Sequence, residues 1–328
     1  MNARTVVVVG AANLDLISYV PRLPAPGETL HGSAFHMGYG GKGANQAVMA
    51  AKLGSSVVMV TKLGSDVFGE GTLENFRSQG VDTTHVHVTD QAFSGVAPIA
   101  VAPDGTNAII IVTGANDLLT EEEVEAARPA IAEAAVVVCQ LELPLPVTRA
   151  ALRIAREEGT RTILNPAPAR ADLPDEFFGL ADVFCPNEPE AELLSGSPVS
   201  STEQAATQAK VLRERGAGEV VLTLGERGCL VVDDDGVVEV PTETVQAVDT
   251  TGAGDAFVGS LAHFLAGDVA LRDAAAKACA VATRSVTKKG TQTSFPDASE
   301  LPAELLEPYW PTRARSRGLL EPERSPTR

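Results

Sequence analysis

The chain has 328 residues, 44% of them hydrophobic, and a formal net charge of −17 at pH 7. This length can form one large domain or two small ones. Because nucleic acids and anionic membranes bind basic surfaces, the acidic balance excludes either as the main partner.

Strand and helix patterns alternate at the start of the chain. TVVVVG (5–10) is typical of a buried strand by length and composition. GANQAVMAAKLG (43–54) has helical periodicity and ends at a glycine, SVVMV (56–60) predicts a second buried strand, and FGEGTLENFRSQG (68–80) predicts a helix. The first part of the chain therefore indicates strand–helix units.

The pattern changes at SGVAPIAVAPDGTNAIIIV (94–112). Two apolar runs flank Pro103, Asp104 and Gly105, which are typical turn residues. This segment predicts a β-hairpin rather than a strand–helix unit.

The alternation then returns and continues to about residue 287. Further strands are predicted at 135–141, 161–165, 182–185 and 219–225, with helical segments between them and two apolar helices within 254–287.

These elements predict an α/β fold, with a mostly parallel, Rossmann-like central sheet covered by helices on both faces. Hairpin-like pieces near 15–40 and 90–112 do not fit that sheet, so we expect them to form a small β-sheet lid beside it. We expect residues 1–310 to be a single α/β domain carrying this lid. The polar, Pro- and Arg-rich segment 311–328 predicts a disordered tail.

The cysteines and the N-terminus predict a cytoplasmic protein. The four cysteines, including Cys279, form no C-x-x-C pair, which argues against a zinc ribbon or a redox motif. The N-terminal apolar run is too short for a signal peptide, and no stretch reaches the roughly 18 apolar residues that suggest a membrane helix.

Polar clusters follow five of the predicted strands, and a glycine-rich cluster opens a helix. Ligands of α/β sheets bind at the carboxyl ends of the strands, so the clusters predict one binding site at that edge. They are NLD (13–15), GYGGKGAN (38–45), CQLELP (139–144), NPAPAR (165–170), PNEPEAELLSG (186–196) and TLGERG (223–228).

The glycine cluster matches G-x-G-x-x-G, but a dinucleotide site is rejected. No buried strand precedes it, and the strand at 56–60 is followed by Thr61 and Lys62 instead of a ribose-binding acid. Two interpretations stay open: a tight loop before a helix, or a loop whose backbone touches a small polar ligand while Lys42 and Asn45 donate to its hydroxyl groups.

Asn187 and Glu190 allow two interpretations as well. Spaced three apart at a helix start, they could form a capping box. They could also hold Mg²⁺ through water molecules, which that ion usually retains.

The segment AVDTTGAGDAFVGS (247–260) places Asp255 after three small residues, where an apolar helix is predicted to begin. Asp255 could be an ordinary residue of a helix N-terminus. Alternatively, the backbone N–H groups of Gly252, Ala253 and Gly254 could bind phosphate while the carboxylate acts beside them.

Five of these motifs, GGKGANQA, NPAPA, PNExE, TLGxxG and DTTGAGDAF, resemble in order and spacing those of the ribokinase-like carbohydrate kinases, over about residues 5–296. The resemblance implies transfer of the ATP γ-phosphoryl group to a sugar hydroxyl, with D-ribose giving ribose 5-phosphate and ADP. The alternatives are a related sugar or nucleoside (deoxyribose, fructose, adenosine or pseudouridine), or a non-catalytic sugar sensor on the same fold.

The resemblance also implies residue roles. Asp255 would be the catalytic base, with Gly252, Ala253 and Gly254 as the anion hole. The sugar contacts would be Asn13, Asp15, Gly41, Lys42, Gly43, Asn45, Glu142 and Asp255. The nucleotide contacts would be Asn187, Thr223, Leu224, Gly225, Glu226, Arg227, Gly228, Gly254 and Cys279, where Cys279 replaces a residue that is usually polar in the family.

The cofactors implied are ATP, Mg²⁺ and K⁺. Asn187 and Glu190 would lie on the magnesium side, and K⁺ would be held by Asp249, Thr251, Ser285, Lys288, Gly290 and Ser294. Lys288 can belong to a cation site only if its backbone carbonyl binds and its side chain points to water. Exposed edges of the lid predict a homodimer.

Overall fold

The protein is described here from a computed structural model, which covers residues 5–307. Outside the described residues lie the tail predicted for 311–328 and, of the expected domain, residues 1–4 and 308–310. The strands are β1 (Thr5–Val9), β2 (Asn13–Tyr19), β3 (Ala34–Gly40), β4 (Ser56–Gly64), β5 (Val81–Thr89), β6 (Gly95–Val101), β7 (Asn107–Ile109), β8 (Val136–Cys139), β9 (Arg161–Leu164), β10 (Val183–Phe184), β11 (Glu219–Thr223), β12 (Cys229–Asp233) and β13 (Gly236–Val240).

The helices occupy the segments between these strands and the C-terminal part of the described chain. They are α1 (Lys42–Lys52), α2 (Val67–Ser78), α3 (Glu121–Ala126), α4 (Arg128–Glu133), α5 (Leu145–Glu158), α6 (Glu176–Gly179), α7 (Glu188–Ser195), α8 (Thr202–Glu214), α9 (Ala253–Ala266), α10 (Leu271–Ser285) and α11 (Ala303–Leu306).

Local sequence sets several of the helix ends. Asp66 caps α2, since its side chain accepts from the backbone N–H groups of Phe68 and Gly69. Helix α5 ends at Gly159, which adopts the left-handed conformation that a glycine tolerates without strain. The start of α2 lies one residue from the start predicted at 68.

A large sheet forms the centre of the protein, in the order β13-β12-β11-β10-β9-β8-β1-β4-β5. Neighbours from β11 to β5 run parallel, while β12 and β13 add an antiparallel edge. The mostly parallel central sheet is therefore confirmed. The sequence analysis did not identify the β12–β13 edge.

The alternating valines of β1 pack on both faces of this sheet. Val6 and Val8 belong to a core shared with α1, α9 and α10, whereas Val7 and Val9 face a second core with α3, α4, α5, α7 and α8. All four valines are fully buried, as expected of a parallel strand covered on both sides.

A second sheet has the order β3-β2-β6-β7. It contains the hairpin predicted over 94–112, since β6 and β7 pair antiparallel. The segment NLD, predicted to follow a strand as a loop, instead opens β2: the chain leaves β1 and enters the second sheet within three residues.

Strand order places the site. From β1 the sheet continues through β4 and β5 on one side and through β8 to β11 on the other, so the connections change direction at β1. The crevice beyond the carboxyl ends of β1 and β8 is where ligands bind in such sheets.

Candidate functional site

The glycine-rich turn before α1 lies against the end of β1. A Cβ atom added to Gly43 would be 2.6 Å from the backbone of Gly10, so only glycine permits this approach. The contact brings the first turn of α1 to the switch point of the sheet. There the backbone N–H of Lys42 donates to Glu142 Oε2, 2.7 Å away, beyond the end of β8.

A partly buried cluster of charges surrounds Lys42. Burial lowers the pKa of Lys42, but the carboxylates of Asp255, Glu142 and Glu190 outweigh it and raise this pKa overall. One ammonium group thus faces three carboxylates that lie far apart in the sequence.

Two carboxyl groups of this region have strongly raised pKa values. Burial raises the pKa of Glu142 to about 7, with Asp255 and Asp15 adding to the rise and Lys42 opposing it. Burial and the charge of Asp255 raise the pKa of Asp15 to about 6. Buried carboxyl groups that share one site with a lysine are typical of functional sites.

Asn13, at the start of β2, completes the predicted sugar contacts. It is buried, and its Oδ1 accepts from Asn116 Nδ2 at 3.0 Å. Gly40, at the end of β3, lies against the Asp15 carboxylate, since a Cβ atom there would be 2.6 Å from both oxygens. Gly41 precedes α1 with a φ of 85°.

Asp255 lies in the first turn of α9 and is 8% exposed. Its Oδ2 accepts from Asn45 Nδ2 at 2.8 Å, and its Oδ1 accepts from Gln46 Nε2 at 3.0 Å. An acid that serves only the helix N-terminus does not need side-chain donors. Here buried amide donors from α1 hold the Asp255 carboxylate at the crevice.

The turn before Asp255 presents the N-terminus of α9. Gly252 has a φ of 78°, a left-handed conformation that favours glycine, and no side chain caps the helix there. The N–H of Ala253 donates to Thr250 O at 3.2 Å, while Gly254 is exposed. An uncapped N-terminus of a 14-residue helix is suited to an anion.

A cavity of about 300 Å³ opens beside this turn. Its wall is partly apolar, including Phe257 and Val286, and partly polar, including Thr223 and Thr283. Among the residues predicted to bind nucleotide, it is lined by Thr223, Gly225, Glu226, Gly228, Gly254 and Cys279. The Cys279 thiol also contacts the Cys229 thiol, 3.7 Å away.

Three residues predicted to bind nucleotide do not line this cavity. Leu224 is buried in the core. The Arg227 guanidinium bonds to Glu188 and Thr202, so it is directed to the start of α7 and α8. Asn187 is exposed and its backbone bridges to Thr223.

The structure contains the capping box that the sequence allowed. Asn187 Oδ1 accepts from the backbone N–H of Glu190 at 2.8 Å, and Glu190 Oε2 accepts from that of Asn187 at 2.9 Å. Burial raises the pKa of Glu190, which is 8% exposed. Within residues 5–307, no group of three or more His, Cys, Asp or Glu side chains could hold a metal ion.

The residues predicted to hold K⁺ come from the loop before α9 and from the end of α10 with the loop after it, and these two segments meet at Asp249. Its Oδ1 accepts from Thr251 N and its Oδ2 from Gly290 N, both at 3.0 Å. These N–H groups lower the pKa of Asp249 although burial opposes them. Ser285 and Ser294 are buried and donate to backbone carbonyls of their own segments.

Lys288 does not direct its charge into these loops. Its Nζ lies 2.6 Å from Glu300 Oε1, and the side chain is 49% exposed. Only the backbone of Lys288 is therefore left to bind a cation, which is the condition stated for including this residue in a cation site.

Several residues at the site were assigned no role from the sequence. The segment from Thr242 to Ala247 contributes to the wall of the cavity, although it carries no motif. Gln46, Gln140 and Asn165 form a buried hydrogen-bonded group behind Asp255. Each of the three lies inside a cluster expected at this edge, GGKGANQA, CQLELP or NPAPAR, but no pattern in the sequence links them to one another.

One further depression lies away from the site. An open depression of about 460 Å³, lined in part by Thr160, Arg161 and Asp268, lies at the opposite edge of the central sheet, where the parallel strands begin.

In the described part of the chain, no helix is long and apolar enough to cross a membrane.

Comparisons with known proteins agree with this geometry. Residues 3–298 match the family model described as pfkB family carbohydrate kinase. The chain is 45% identical to the ribokinase of Mus musculus, over 93% of this chain and 95% of the relative. It is 41% identical to the deoxyribokinase of Salmonella typhimurium, over 90% of this chain and 96% of that protein. The structure of Arabidopsis thaliana ribokinase complexed with ribose and ATP superimposes with a TM-score of 0.85, at 30% identity, over 93% of this chain and 99% of that one.

Proposed function

The chain belongs to the pfkB family of carbohydrate kinases, and we propose that it transfers the γ-phosphoryl group of ATP to the 5-hydroxyl of D-ribose. One observation carries the proposal. Asp255 directly follows Gly254, which lines the cavity beside α9, and its charge acts on Lys42 in the cluster of carboxylates. A base between two sites, one for a nucleotide and one for a polyol, is what phosphoryl transfer to a sugar requires.

The cluster around Lys42 supports a sugar as the acceptor. Asp15 and Glu142 provide carboxylate oxygens that can accept from vicinal hydroxyl groups, while Lys42 and Asn45 can donate. Asn45 is buried and the three charged residues are half-buried, which favours a small ligand that displaces the remaining water. Asn13, Gly41 and Gly43 complete the proposed contacts.

In the proposed reaction, the 5-hydroxyl oxygen forms the new bond to the γ-phosphorus as the bond between that phosphorus and the bridging oxygen of ADP breaks. The hydroxyl proton passes to the Asp255 carboxylate. The backbone N–H groups from Gly252 to Gly254 and the N-terminus of α9 stabilise the negative charge of the transferred group. If the amide of Ala253 takes part, its 3.2 Å bond to Thr250 must lengthen.

We further propose that ATP binds with its base in the cavity of about 300 Å³. The partly apolar wall suits an aromatic base, and Thr223, Gly225, Glu226, Gly228 and Cys279 would contact the nucleotide. Leu224 and Arg227 act indirectly in this proposal, by shaping the turn between β11 and β12.

Mg²⁺ is proposed to reach the site bound to ATP, which fits a donor set of one buried carboxylate, Glu190, and the neighbouring Asn187. An ion held mainly by phosphate and water needs few protein ligands. When bound, Mg²⁺ would neutralise phosphate charge.

K⁺ is proposed to bind where the loops meet at Asp249. The donor set of a carboxylate, a hydroxyl and backbone carbonyls suits a hard monovalent cation. The contributing residues would be Asp249, Thr251, Ser285, Lys288, Gly290 and Ser294.

We also propose that the second sheet acts as a lid and pairs with a second copy of the chain. Phe35, Met37, Ile109, Ile110 and Ile111 are each at least 54% exposed, on or beside the edge strands β3 and β7. Clustered apolar exposure of this kind marks an interaction surface. A cytoplasmic location is proposed as well, supported by four cysteines that are all free thiols.

The decisive test is an ADP-release assay with ATP, Mg²⁺ and K⁺ across D-ribose, 2-deoxyribose, fructose, adenosine and pseudouridine. We expect the highest kcat/KM with D-ribose. A higher kcat/KM with 2-deoxyribose would change the assigned substrate from ribose to deoxyribose. The 41% identity to a deoxyribokinase is the reason to include this sugar. Binding of ribose without turnover of any compound would favour a sugar sensor.

A further inference from the structure

Two chains of buried side-chain amides converge on the Asp255 carboxylate. In the first, Gln140 Nε2 donates to Gln46 Oε1 at 2.7 Å, and Gln46 Nε2 donates to Asp255 Oδ1 at 3.0 Å. In the second, Gln292 Nε2 donates to Asn45 Oδ1 at 3.0 Å, and Asn45 Nδ2 donates to Asp255 Oδ2 at 2.8 Å. Each carboxylate oxygen therefore ends one chain of amides.

The direction of the first chain is set by chemistry. An ionised carboxylate only accepts hydrogen bonds, so Gln46 must turn its NH₂ group towards Asp255. Its Oε1 then needs a donor, and Gln140 supplies one. The second hydrogen of the Gln46 amide goes to Asn165 Oδ1 at 3.1 Å, so three neighbours hold this amide in one orientation.

Burial makes these bonds matter. Gln46 is fully buried and Gln140 is 1% exposed, so water cannot replace a lost partner at low cost. Aligned amide dipoles also polarise one another along such a chain. A reversed Gln46 amide would present its oxygen to the Asp255 carboxylate, which is repulsive.

We propose that Gln46 and Gln140 are positioning residues for the base of the phosphoryl transfer. Gln46 holds Asp255 Oδ1, and Gln140 acts only through Gln46, by fixing the orientation of its amide. The carboxylate is thereby kept in the one rotation that leaves a lone pair for the incoming hydroxyl. This inference rests on the proposed function, since it assigns a purpose to the orientation of Asp255.

The test compares wild type, Gln46→Met, Gln140→Met and the double variant, with the sugar that wild type turns over. A bond to a charged group is worth enough to predict a fall in kcat of about 10- to 100-fold for Gln46→Met. KM for the sugar is expected to stay within about twofold, because Gln46 contacts the base and not the substrate. A fall in kcat at an unchanged KM is a readout that a merely structural role would not produce.

The double variant separates a relay from two independent effects. If Gln140 acts only through Gln46, adding Gln140→Met to Gln46→Met costs no further activity. Losses that multiply would overturn the relay. Gln208→Met, which removes a buried amide on α8, is the matched control and should leave kcat and KM unchanged.

A purely structural role is a distinct outcome. If Gln46→Met lowers the melting temperature while kcat and KM stay those of wild type, the proposal is wrong. Crystal structures of wild type and Gln46→Met add a readout that does not need turnover: the Asp255 carboxylate should rotate or occupy two positions in the variant. If the Asp255 carboxylate of the variant lies as in wild type, the proposal is wrong, whether or not any sugar is phosphorylated. Absence of turnover with every sugar of the panel would instead refute the proposed function.

Discussion

Replacing Glu142 with glutamine should stabilise the folded protein at high pH. Burial raises the pKa of Glu142 to about 7, so the folded state binds its proton more tightly than the unfolded state does. The stability that this proton contributes is fully present below the ordinary glutamate pKa and is lost as the pH rises through about 7. The glutamine side chain of the variant would resemble the protonated acid at every pH, and its carbonyl oxygen can still accept from Lys42 N–H.

The size of the effect follows from the shift, from 4.5 to about 7. Each unit is worth about 1.4 kcal/mol, so ionised Glu142 costs the folded state roughly 3 kcal/mol. The opposing effect of Lys42 is already contained in this value. Linkage predicts a gain from Glu142→Gln of about 1.4 kcal/mol near pH 5.5 and about 3 kcal/mol near pH 8.5.

The measurement is thermal unfolding of wild type and Glu142→Gln at these two pH values. With roughly 2 °C per kcal/mol for a large domain, the variant should gain about 3 °C at the lower pH and about 6 °C at the higher. Glu133→Gln, which changes an exposed glutamate, should match wild type at both. A gain that is equal at the two pH values, or absent, would refute the reasoning.

Four further predictions test the proposed site. Asp255→Asn should lower kcat by about 100- to 10,000-fold while the sugar still binds, and near-normal turnover would show that the base is elsewhere. Adding K⁺ at constant ionic strength should raise activity in wild type and not in Asp249→Asn, and indifference of wild type to K⁺ would remove the cation site. Ile110→Lys should shift a dimer towards monomer in light scattering, whereas a monomeric wild type would contradict pairing through the lid. Cys279→Leu, which adds bulk to the wall of the cavity, should raise KM for ATP about tenfold and leave KM for the sugar unchanged, and the reverse pattern would place the nucleotide elsewhere.

Site residues could be predicted from the sequence where they directly follow a strand or helix that has a recognisable residue pattern. The valines of β1, the periodicity of α1 and the small residues before α9 each have such a signal, because a strand or helix imposes its own spacing on apolar residues. Asn187 and Glu190 were predictable as a capping box for the same reason, since both partners lie within four residues. The association of Asp255 with a catalytic role came from the family resemblance of DTTGAGDAF, not from periodicity.

Other features required the folded chain. Nothing local distinguishes Arg227, which turns away from the cavity, from Glu226 beside it, which lines the cavity. The antiparallel edge of β12 and β13 was missed, and the segment from Thr242 to Ala247 carries no recognisable pattern although it forms part of the cavity wall.

The sequence by itself determined most of the elements of the central sheet, the α/β class and the carboxyl edge of the sheet as the expected position of the site. Only the tertiary structure decided which polar groups meet there: Gln46 and Asp255 are 209 residues apart, yet their side chains are 3.0 Å apart. It also decided that burial raises the pKa of Glu142 to about 7. The physical reason is that periodicity depends on neighbours within a turn or a pleat, whereas a hydrogen bond or a desolvation penalty depends on whatever the fold packs against the group.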